Sequence, residues 1–249
     1  MKRLSPSIRS KVPSLPLLVR LGRRDILPLL AAFVGAALLL AFGMLAEEVV
    51  EGDTQKVDTA LLMKFRTPGD PTDLIGPEWF EEMVRDVTAL GSYAFIFIVV
   101  LVCAGYLLLL RKRGLALLLV AAEGGGMLIS NLLKNGFDRP RPDIEHAARV
   151  FTASFPSGHA TLSAVTFLTL GALLTRVSPS RRANLYFMSV AVVLTLLVGT
   201  SRVYLGVHYP SDVIAGWCVG SAWAALCWAV ALWLQRRGSV EGPAPRGGE

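Results

Sequence analysis

Three clusters of polar residues interrupt an otherwise apolar chain, and their residue types suit phosphate chemistry. Fixed cations can hold the oxygens of a phosphate ester, while an imidazole can attack phosphorus or protonate the leaving oxygen. The clusters are Lys134 to Arg141-Pro142, then Pro156-Ser-Gly-His159, and then Ser201-Arg202 followed by His208 and Asp212. Together they predict an enzyme that cleaves a phosphate ester.

The cations match the charge distribution of phosphoryl transfer, which spreads negative charge over three equatorial oxygens. Lys134, Arg141 and Arg202 can supply the opposing charge, and arginine adds bidentate geometry. The alternative is a row of side chains that snorkel to the membrane surface and set topology. The occurrence of all three with two histidines at fixed offsets favours a phosphate site.

Ser157 and Gly158 precede an apolar segment and are typical of a helix start. Ser157 suits the N-cap position, and Gly158 lets the backbone approach an anion. Free amides and the helix dipole bind phosphate at such a terminus. An ordinary capped helix would explain both residues but not His159 beside them, although an imidazole can also lie at a membrane interface without a function.

His208 and Asp212 are four residues apart, a spacing that places two side chains on one helical face. Pro210 can leave His208 just before that helix. A carboxylate on one ring nitrogen fixes the tautomer and leaves the other nitrogen to attack phosphorus. His208 is therefore the candidate nucleophile. Asp212 also suits a helix start, where negative charge is favourable, and the two roles are compatible.

Long apolar segments must position these clusters. The chain has 249 residues, of which 53% are hydrophobic, and a mean hydropathy of +0.52. Spanning a bilayer takes roughly 20 apolar residues. Six segments approach or reach that length: Ile26–Ala46, Val87–Leu110, Gly114–Leu133, Gly158–Thr175, Ala183–Ser201 and Val213–Gln235. The fourth is short enough for a buried helix, but an even number of spans puts all three clusters on one side.

The distribution of lysine and arginine predicts cytoplasmic termini. Basic residues are frequent before the first span, after the second and fourth spans, and directly after the last one. The clusters would then face outward from the plasma or inner membrane. Cations in the cluster-bearing loops oppose a simple charge count, so this orientation depends on the alternation of spans and on function.

The expected fold class is all-α, a polytopic membrane bundle of six transmembrane helices with short interfacial helices. Residues 1–25 form a basic cytoplasmic segment, 26–237 the six-span domain, and 238–249 a disordered tail rich in Gly and Pro. Residues 47–90 form an extracytoplasmic interfacial segment within the domain. Two short helices are expected there, joined by a turn at Thr67-Pro-Gly-Asp-Pro71, with Trp79 at headgroup depth.

Several other functional classes are disfavoured. The net charge of +6 is largely explained by residues that flank spans, so no nucleic-acid partner is expected. Cys103, Cys218 and Cys227 lie within apolar spans and form neither a disulfide framework nor a metal pattern. No cluster of Asp, Glu and His has metal-ligand spacing, so neither a metal nor another cofactor is expected.

The three clusters resemble the motifs of type 2 phosphatidic acid phosphatases, or lipid phosphate phosphatases, which share their site with vanadium haloperoxidases. The family pattern is Lys, six residues, Arg-Pro; then Pro-Ser-Gly-His; then Ser-Arg, five residues, His, three residues, Asp. The chain matches it in full over residues 134–212. The resemblance implies a membrane phosphatase that removes a phosphate from a lipid phosphomonoester or pyrophosphate through a phosphohistidine. It implies His208 as nucleophile, His159 as general acid, Asp212 as orienting residue, and Lys134, Arg141, Ser157, Gly158 and Arg202 as phosphate ligands.

The substrate and three polar residues stay open at this point. Phosphatidate, phosphatidylglycerophosphate and polyprenyl pyrophosphate present similar headgroups, and the alternatives to hydrolysis of a lipid are phosphoryl transfer to a second lipid, a soluble ester substrate, or a non-catalytic scaffold. Arg139 can touch substrate or a lipid headgroup, and His146 is expected on a surface loop. Glu123 lies within a span, where a carboxylate has a function or hydrogen-bonds a neighbour. The sequence indicates no oligomeric state.

Overall fold

The computed structural model describes residues 23–144, 152–177 and 180–236. The expected terminal segments and the interpretation of His146 therefore lie largely or wholly outside the described residues. The described chain forms eight helices and one two-stranded ribbon: α1 Arg23–Glu51, α2 Gln55–Met63, β1 Arg66–Thr67, β2 Asp70–Leu74, α3 Glu78–Ala89, α4 Tyr93–Leu109, α5 Arg113–Phe137, α6 Gly158–Val177, α7 Arg181–Tyr204 and α8 Pro210–Arg236.

Five helices are long and apolar enough to cross a membrane, namely α1, α5, α6, α7 and α8. The bent pair of α3 and α4 passes the same test when the two are taken together. The all-α, multi-pass membrane fold is thus confirmed. The fourth span, α6, has the lowest hydropathy of the five and is the most buried, with 67% of its apolar window inside the bundle. The segment meets the criteria for the expected fourth span, and most of it is buried inside the bundle.

Helix α6 lies at the centre of the bundle, in contact with α5, α7 and α8. Small residues allow its close approach to α8, as is common between helices in membranes. A Cβ atom on Gly216 would lie 2.7 Å from the carbonyl oxygen of Ser157, and one on Gly220 would lie 2.4 Å from that of Thr161. The backbones of α6 and α8 are therefore in contact, which fixes the first turns of these two helices relative to each other.

The second span differs from the expected continuous helix over Val87–Leu110. Helix α3 ends at Ala89, and α4 begins at Tyr93 after a bend of 50°. The side chain of Ser92 accepts a hydrogen bond from the Phe95 amide at 3.3 Å and so caps α4. A Cβ atom at Gly91 would lie 2.4 Å from Val198, so only glycine fits at the corner. The cap at Ser92 and the close contact at Gly91 therefore interrupt the helix within a largely apolar segment.

Residues 52–92 form a surface segment at the end of the bundle that carries the three motifs. Its helices α2 and α3 agree with the two short helices expected there. The expected turn is more ordered than predicted, because it connects the antiparallel strands β1 and β2, in which Arg66 pairs with Leu74 and Thr67 with Asp70. Gly69 in that turn has a φ of +93°, a conformation that favours glycine.

Glu123 lies in the middle of α5 and is 6% exposed. The hydroxyl of Thr166 in α6 hydrogen-bonds its Oε2 at 2.8 Å. A polar pair of this kind joins two helices inside the bilayer. This contact matches the expected alternative in which Glu123 bonds a neighbouring helix.

Candidate active site

The eight residues predicted from the motifs lie at one end of the bundle. Lys134 is in the last turn of α5, and Arg202 is in the last turn of α7. Ser157, Gly158 and His159 lie at the start of α6, while Asp212 lies in the first turn of α8. Arg141 and His208 come from the segments that precede α6 and α8. Nη1 of Arg141 lies 3.0 Å from Nε2 of His208, and the Ser157 amide donates to the carbonyl oxygen of Asp212 at 2.9 Å. A Cβ atom on Gly158 would lie 3.4 Å from Cε of Lys134. The structure therefore brings the three motifs together.

His208 is 1% exposed, and both of its ring nitrogens have partners. Its Nε2 lies 3.0 Å from Nη1 of Arg141, and its Nδ1 lies 3.2 Å from the hydroxyl of Ser154. A guanidinium can only donate, so Nε2 accepts and carries a lone pair, while the proton is on Nδ1. Burial lowers the pKa of His208 to about 3. The ring is therefore neutral at pH 7, and its unprotonated nitrogen is turned towards Arg141.

Asp212 is fully buried and orients His208 largely through Ser154. The distance between His208 Nδ1 and Asp212 Oδ2 is 3.5 Å, longer than a good hydrogen bond. Ser154 donates its hydroxyl proton to Asp212 Oδ2 at 2.5 Å and accepts from the His208 ring. The Tyr209 amide also donates to Oδ2, at 2.9 Å. Because Tyr209 directly precedes α8, this bond is half of a capping box, and Asp212 serves the helix start as well as the histidine.

Arg141 connects the first motif to His208 of the third and to the residues before the second. Its Nε donates to the carbonyl oxygen of Thr152 at 2.9 Å, and its Nη1 donates to that of Val207 at 2.8 Å. Its Nη2 lies 3.2 Å from the Thr152 hydroxyl. These bonds fix the plane of the guanidinium against the loop that carries His208. Arginine stays charged at such a site although burial lowers the pKa of Arg141.

Lys134 and Arg202 are 7% and 8% exposed, respectively. The ammonium of Lys134 donates to the carbonyl oxygen of Ala153 at 2.7 Å, and Nη1 of Arg202 donates to the hydroxyl of Thr88 at 3.1 Å. Among the ion pairs of the described residues, none involves Lys134, Arg141 or Arg202. Snorkelling cations keep their charge in water, so the burial of Lys134 and Arg202 argues against that alternative. Buried cations without a carboxylate favour the approach of an anion.

The first turn of α6 faces these cations. A Cβ atom on Gly158 would lie 3.4 Å from Cε of Lys134 and 3.6 Å from the hydroxyl oxygen of Tyr93. The first amides of a helix have no partner within that helix, so they are available to an anion here. Ser157 is at the expected N-cap position, directly before α6, but its side chain makes no capping bond. Its hydroxyl is buried and has no protein partner within the described residues, which leaves it available to a ligand.

His159 follows at the second position of α6 and lies against the corner between α3 and α4. A Cβ atom on Gly91 would lie 3.3 Å from Cδ2 of His159. The bend in the second span therefore determines how closely the surface segment approaches this imidazole.

Comparison with known proteins agrees with the motifs. The model of the PAP2 superfamily matches residues 115–236, from α5 to α8. Phosphatidylglycerophosphatase B of Bacillus subtilis (strain 168) is 30% identical over 186 residues, covering 74% of this chain and 88% of that protein. The chain belongs to the PAP2 superfamily. A solved structure described as the first transmembrane PAP2 type phosphatidylglycerolphosphate phosphatase from Bacillus subtilis has a TM-score of 0.71 at 26% identity, covering 83% of this chain and 97% of that one.

A second relative acts on a different lipid. The undecaprenyl-diphosphatase of Sulfolobus acidocaldarius (strain ATCC 33909 / DSM 639 / JCM 8929 / NBRC 15157 / NCIMB 11770) is 46% identical over 68 residues, covering 27% of this chain and 29% of that protein. These PAP2 relatives are phosphatases, and the membership of this chain supports a phosphatase activity. The family resemblance seen in the motifs is confirmed.

Arg139 has neither of the roles considered for it in this PAP2 chain. It is 9% exposed, and its donors bind Asp212 Oδ1 at 2.7 Å and Asp58 Oδ2 at 2.8 Å. Its guanidinium also lies over the Tyr209 ring at 4.4 Å. Although burial opposes the charge, Asp212 and Asp58 raise the pKa of Arg139. It is therefore a buried partner of Asp212 rather than a contact for substrate or a lipid headgroup.

Sequence reasoning missed Ser154 and Asp58. Ser154 bonds both His208 and Asp212, and Asp58 bonds Arg139. Ser154 is three residues before Ser157, and a serine there carries no signal of its own. Asp58 lies in α2, one turn before the buried Leu62. An acidic residue on the inward side of an amphipathic helix is a signal that could have pointed to it.

Proposed function

We propose that this PAP2 protein removes a phosphate from a membrane lipid through a phosphohistidine formed on His208. The observation that carries the proposal is the tautomer of His208, whose Nε2 lone pair lies beside Arg141 while Ser154 and Asp212 hold Nδ1. A nucleophilic histidine needs one unprotonated ring nitrogen and a partner that stabilises the positive charge that develops on the ring. The bond from Arg141 to Nε2 must therefore give way to phosphorus when the substrate binds.

In the first step, Nε2 of His208 attacks phosphorus, and the bond between phosphorus and the lipid oxygen breaks. Lys134, Arg141 and Arg202, with the first amides of α6, bind the three equatorial oxygens during the transfer. His159 donates a proton to the leaving oxygen. The lipid departs as an alcohol if the substrate is a phosphomonoester, or as a lipid monophosphate if it is a pyrophosphate.

In the second step, water attacks the phosphorus of the phosphohistidine. His159, now neutral, accepts a proton from that water, and the bond between phosphorus and Nε2 breaks. Inorganic phosphate leaves, and both histidines return to their starting states. The positive charge on the His208 ring exists only between the two steps, when Asp212 stabilises it.

The activity is independent of a metal ion. Metal-dependent phosphatases use divalent cations to neutralise the transferring group. Here three side-chain cations surround the start of α6 and supply the same neutralisation. Their fixed positions need no reorganisation during the reaction, which is the source of electrostatic catalysis.

The substrate is a lipid phosphomonoester or a lipid pyrophosphate. Two relatives are named for phosphatidylglycerophosphate and undecaprenyl diphosphate, which share a terminal phosphate on a long apolar chain. The buried site at the end of a membrane bundle suits such a substrate, because its tail stays in the bilayer while its headgroup reaches the cations.

The site faces the extracytoplasmic side, because the basic ends of the spans are assigned to the cytoplasm and the alternation of spans then puts the three motifs on the opposite side. In a variant whose native cysteines are replaced, a cysteine at Ala147 should react with an impermeant thiol reagent added to intact cells. A cysteine at Ser180, at the other end of α6, should react only after lysis. The reverse labelling pattern would place the site in the cytoplasm.

The two histidines can be separated with substrates that differ in leaving group. His208→Ala should abolish phosphate release and any trapped phosphoenzyme with every substrate. His159→Ala should lose most of its rate with a lipid phosphate but recover much of it with an aryl phosphate, whose acidic leaving group needs little protonation. Asp212→Asn should be intermediate, because its amide still bonds to Ser154 without stabilising a positive ring.

Purified protein should release phosphate from phosphatidate in mixed micelles without an added acceptor. Release that depends on a second lipid would instead identify a phosphotransferase. Rescue of His208→Ala by the aryl substrate, or a phosphoenzyme trapped on His159, would overturn the assignment of roles.

A further inference from the structure

Asp58 lies outside the three motifs but within the same buried network as Asp212. It belongs to α2 of the surface segment and is 3% exposed. Its Oδ1 accepts from the Ser211 amide at 2.9 Å, and its Oδ2 accepts from the Ser211 hydroxyl at 2.5 Å and from Arg139 at 2.8 Å. A buried carboxylate is unfavourable unless its oxygens are paired. Both oxygens are paired here, and each partner touches or adjoins Asp212.

We propose that Asp58 is a positioning residue for the pair of His208 and Asp212, through Arg139 and Ser211. The inference rests on the proposed function, since it concerns the charge that develops on His208 in the reaction. It assigns a task to the surface segment, which supplies none of the motif residues.

The first part of the task is geometric. The Ser211 amide is one of the free amides in the first turn of α8, so Asp58 caps this helix from a distant part of the chain. Ser211 also accepts from Nη1 of Arg139 at 2.7 Å, the same nitrogen that binds Asp212 Oδ1. The cap therefore fixes the turn that carries Asp212 and the guanidinium that holds it.

The second part of the task is electrostatic. Arg139 lies between two carboxylates, so its positive charge is shared by Asp58 and Asp212. If Asp58 becomes neutral, the whole charge of Arg139 acts on Asp212, and Asp212 stabilises a positive His208 ring less well. Formation of the phosphohistidine should then slow, whereas the cations that bind the substrate phosphate stay in place.

The test compares Asp58→Asn, Arg139→Gln and the double variant with the wild-type protein in detergent micelles, with phosphatidate as substrate. Asp73→Asn is the matched control, because Asp73 is an exposed carboxylate of the same segment whose hydrogen bond, among the described residues, is from Thr67 in the ribbon. Asp58→Asn should lower kcat about 10- to 100-fold. The KM and the inhibition constant of orthophosphate should change less than about threefold, and the control should match the wild type.

The double variant tests whether Asp58 acts through Arg139. If it does, adding Asp58→Asn to Arg139→Gln should cause no further loss of kcat, because the charge that Asp58 balances is gone. Losses that multiply would show independent action and overturn the inference. A parallel weakening of orthophosphate inhibition would do the same, since it would indicate a distorted phosphate site.

The yield of folded protein distinguishes a positioning role of Asp58 from a role in folding. A single Asp58→Asn change leaves Arg139 paired with Asp212 alone. The double variant removes the charges of both residues and leaves Asp212 its bonds from Ser154 and the Tyr209 amide, so it should purify as a monodisperse protein. A double variant that does not fold although Arg139→Gln does would make Asp58 a folding residue, and a kcat for Asp58→Asn within twofold of wild type would also contradict the inference. A wild-type protein that releases no phosphate would instead refute the proposed function.

Discussion

Replacement of Ser154 by alanine tests the hydrogen-bond path between Asp212 and His208. The change removes the hydroxyl that bonds both residues and leaves their direct separation at 3.5 Å. A hydrogen bond to a charged group contributes roughly 1.5–3 kcal/mol. Because about 1.4 kcal/mol corresponds to a tenfold change in rate, kcat should fall about 10- to 150-fold. The fall in kcat should be near tenfold if the His208 ring moves roughly 0.5 Å towards Asp212, because a direct hydrogen bond can then form.

The assay is phosphate release from phosphatidate in mixed micelles, with kcat and KM determined separately. Ser163→Ala is the matched control, because Ser163 is equally buried and its hydroxyl bonds only a carbonyl oxygen within α6. The control should keep the wild-type kcat. A Ser154→Ala protein with kcat within twofold of wild type would refute the path, and a raised KM with unchanged kcat would place Ser154 among the phosphate ligands instead.

Three further outcomes are expected. Phosphate release should survive EDTA and be inhibited by vanadate, which adopts the five-coordinate geometry of the transition state, whereas a strict requirement for Mg²⁺ in purified protein would contradict the mechanism. Gly220→Ala should lower the thermal unfolding midpoint, at a cost of about 1–3 kcal/mol, because its Cβ would meet Thr161 at 2.4 Å, while Gly105→Ala has open space and should not. Since burial lowers the pKa of His208 to about 3, the ring stays unprotonated as the pH falls from 6.5 to about 5. After correction for ionisation of the substrate phosphate, kcat/KM should therefore stay constant over that pH range. A fall in kcat/KM as the pH is lowered would contradict the neutral ring.

The sequence predicted the placement of the motifs because their residues lie at helix ends, where local signals are strong. Gly158 follows a serine and a proline, and Asp212 follows Pro210, so the starts of α6 and α8 could be predicted. Hydropathy identified the spans, since a bilayer requires long apolar segments. The break at Gly91 was missed because one of its causes is a contact with Val198 in another helix, which leaves no pattern in the sequence. The other cause, the cap at Ser92, is a local signal that the surrounding apolar residues outweighed.

The partners of the motif residues could not be predicted for the same reason. Asp58 and Ser211 are 153 positions apart, and the bond between them depends on how α2 folds over the end of the bundle. Arg139 stands in a loop rich in cations, so its charge suggested a surface contact. Only the structure places two carboxylates beside it. Local patterns predict the ends of elements, whereas long-range charge pairing requires the packed fold.

The sharing of Arg139 between Asp58 and Asp212 has a consequence for how this protein can diverge. The family match begins at residue 115, so Arg139 lies inside it and Asp58 outside it. A change at either position disturbs the balance of buried charge, and a change at the other relieves part of it, because Asp212 also pairs with Arg139. Positions 58 and 139 are therefore expected to covary among relatives, and a chimera that exchanges the surface segment should keep its activity only when the donor brings a carboxylate to the same place.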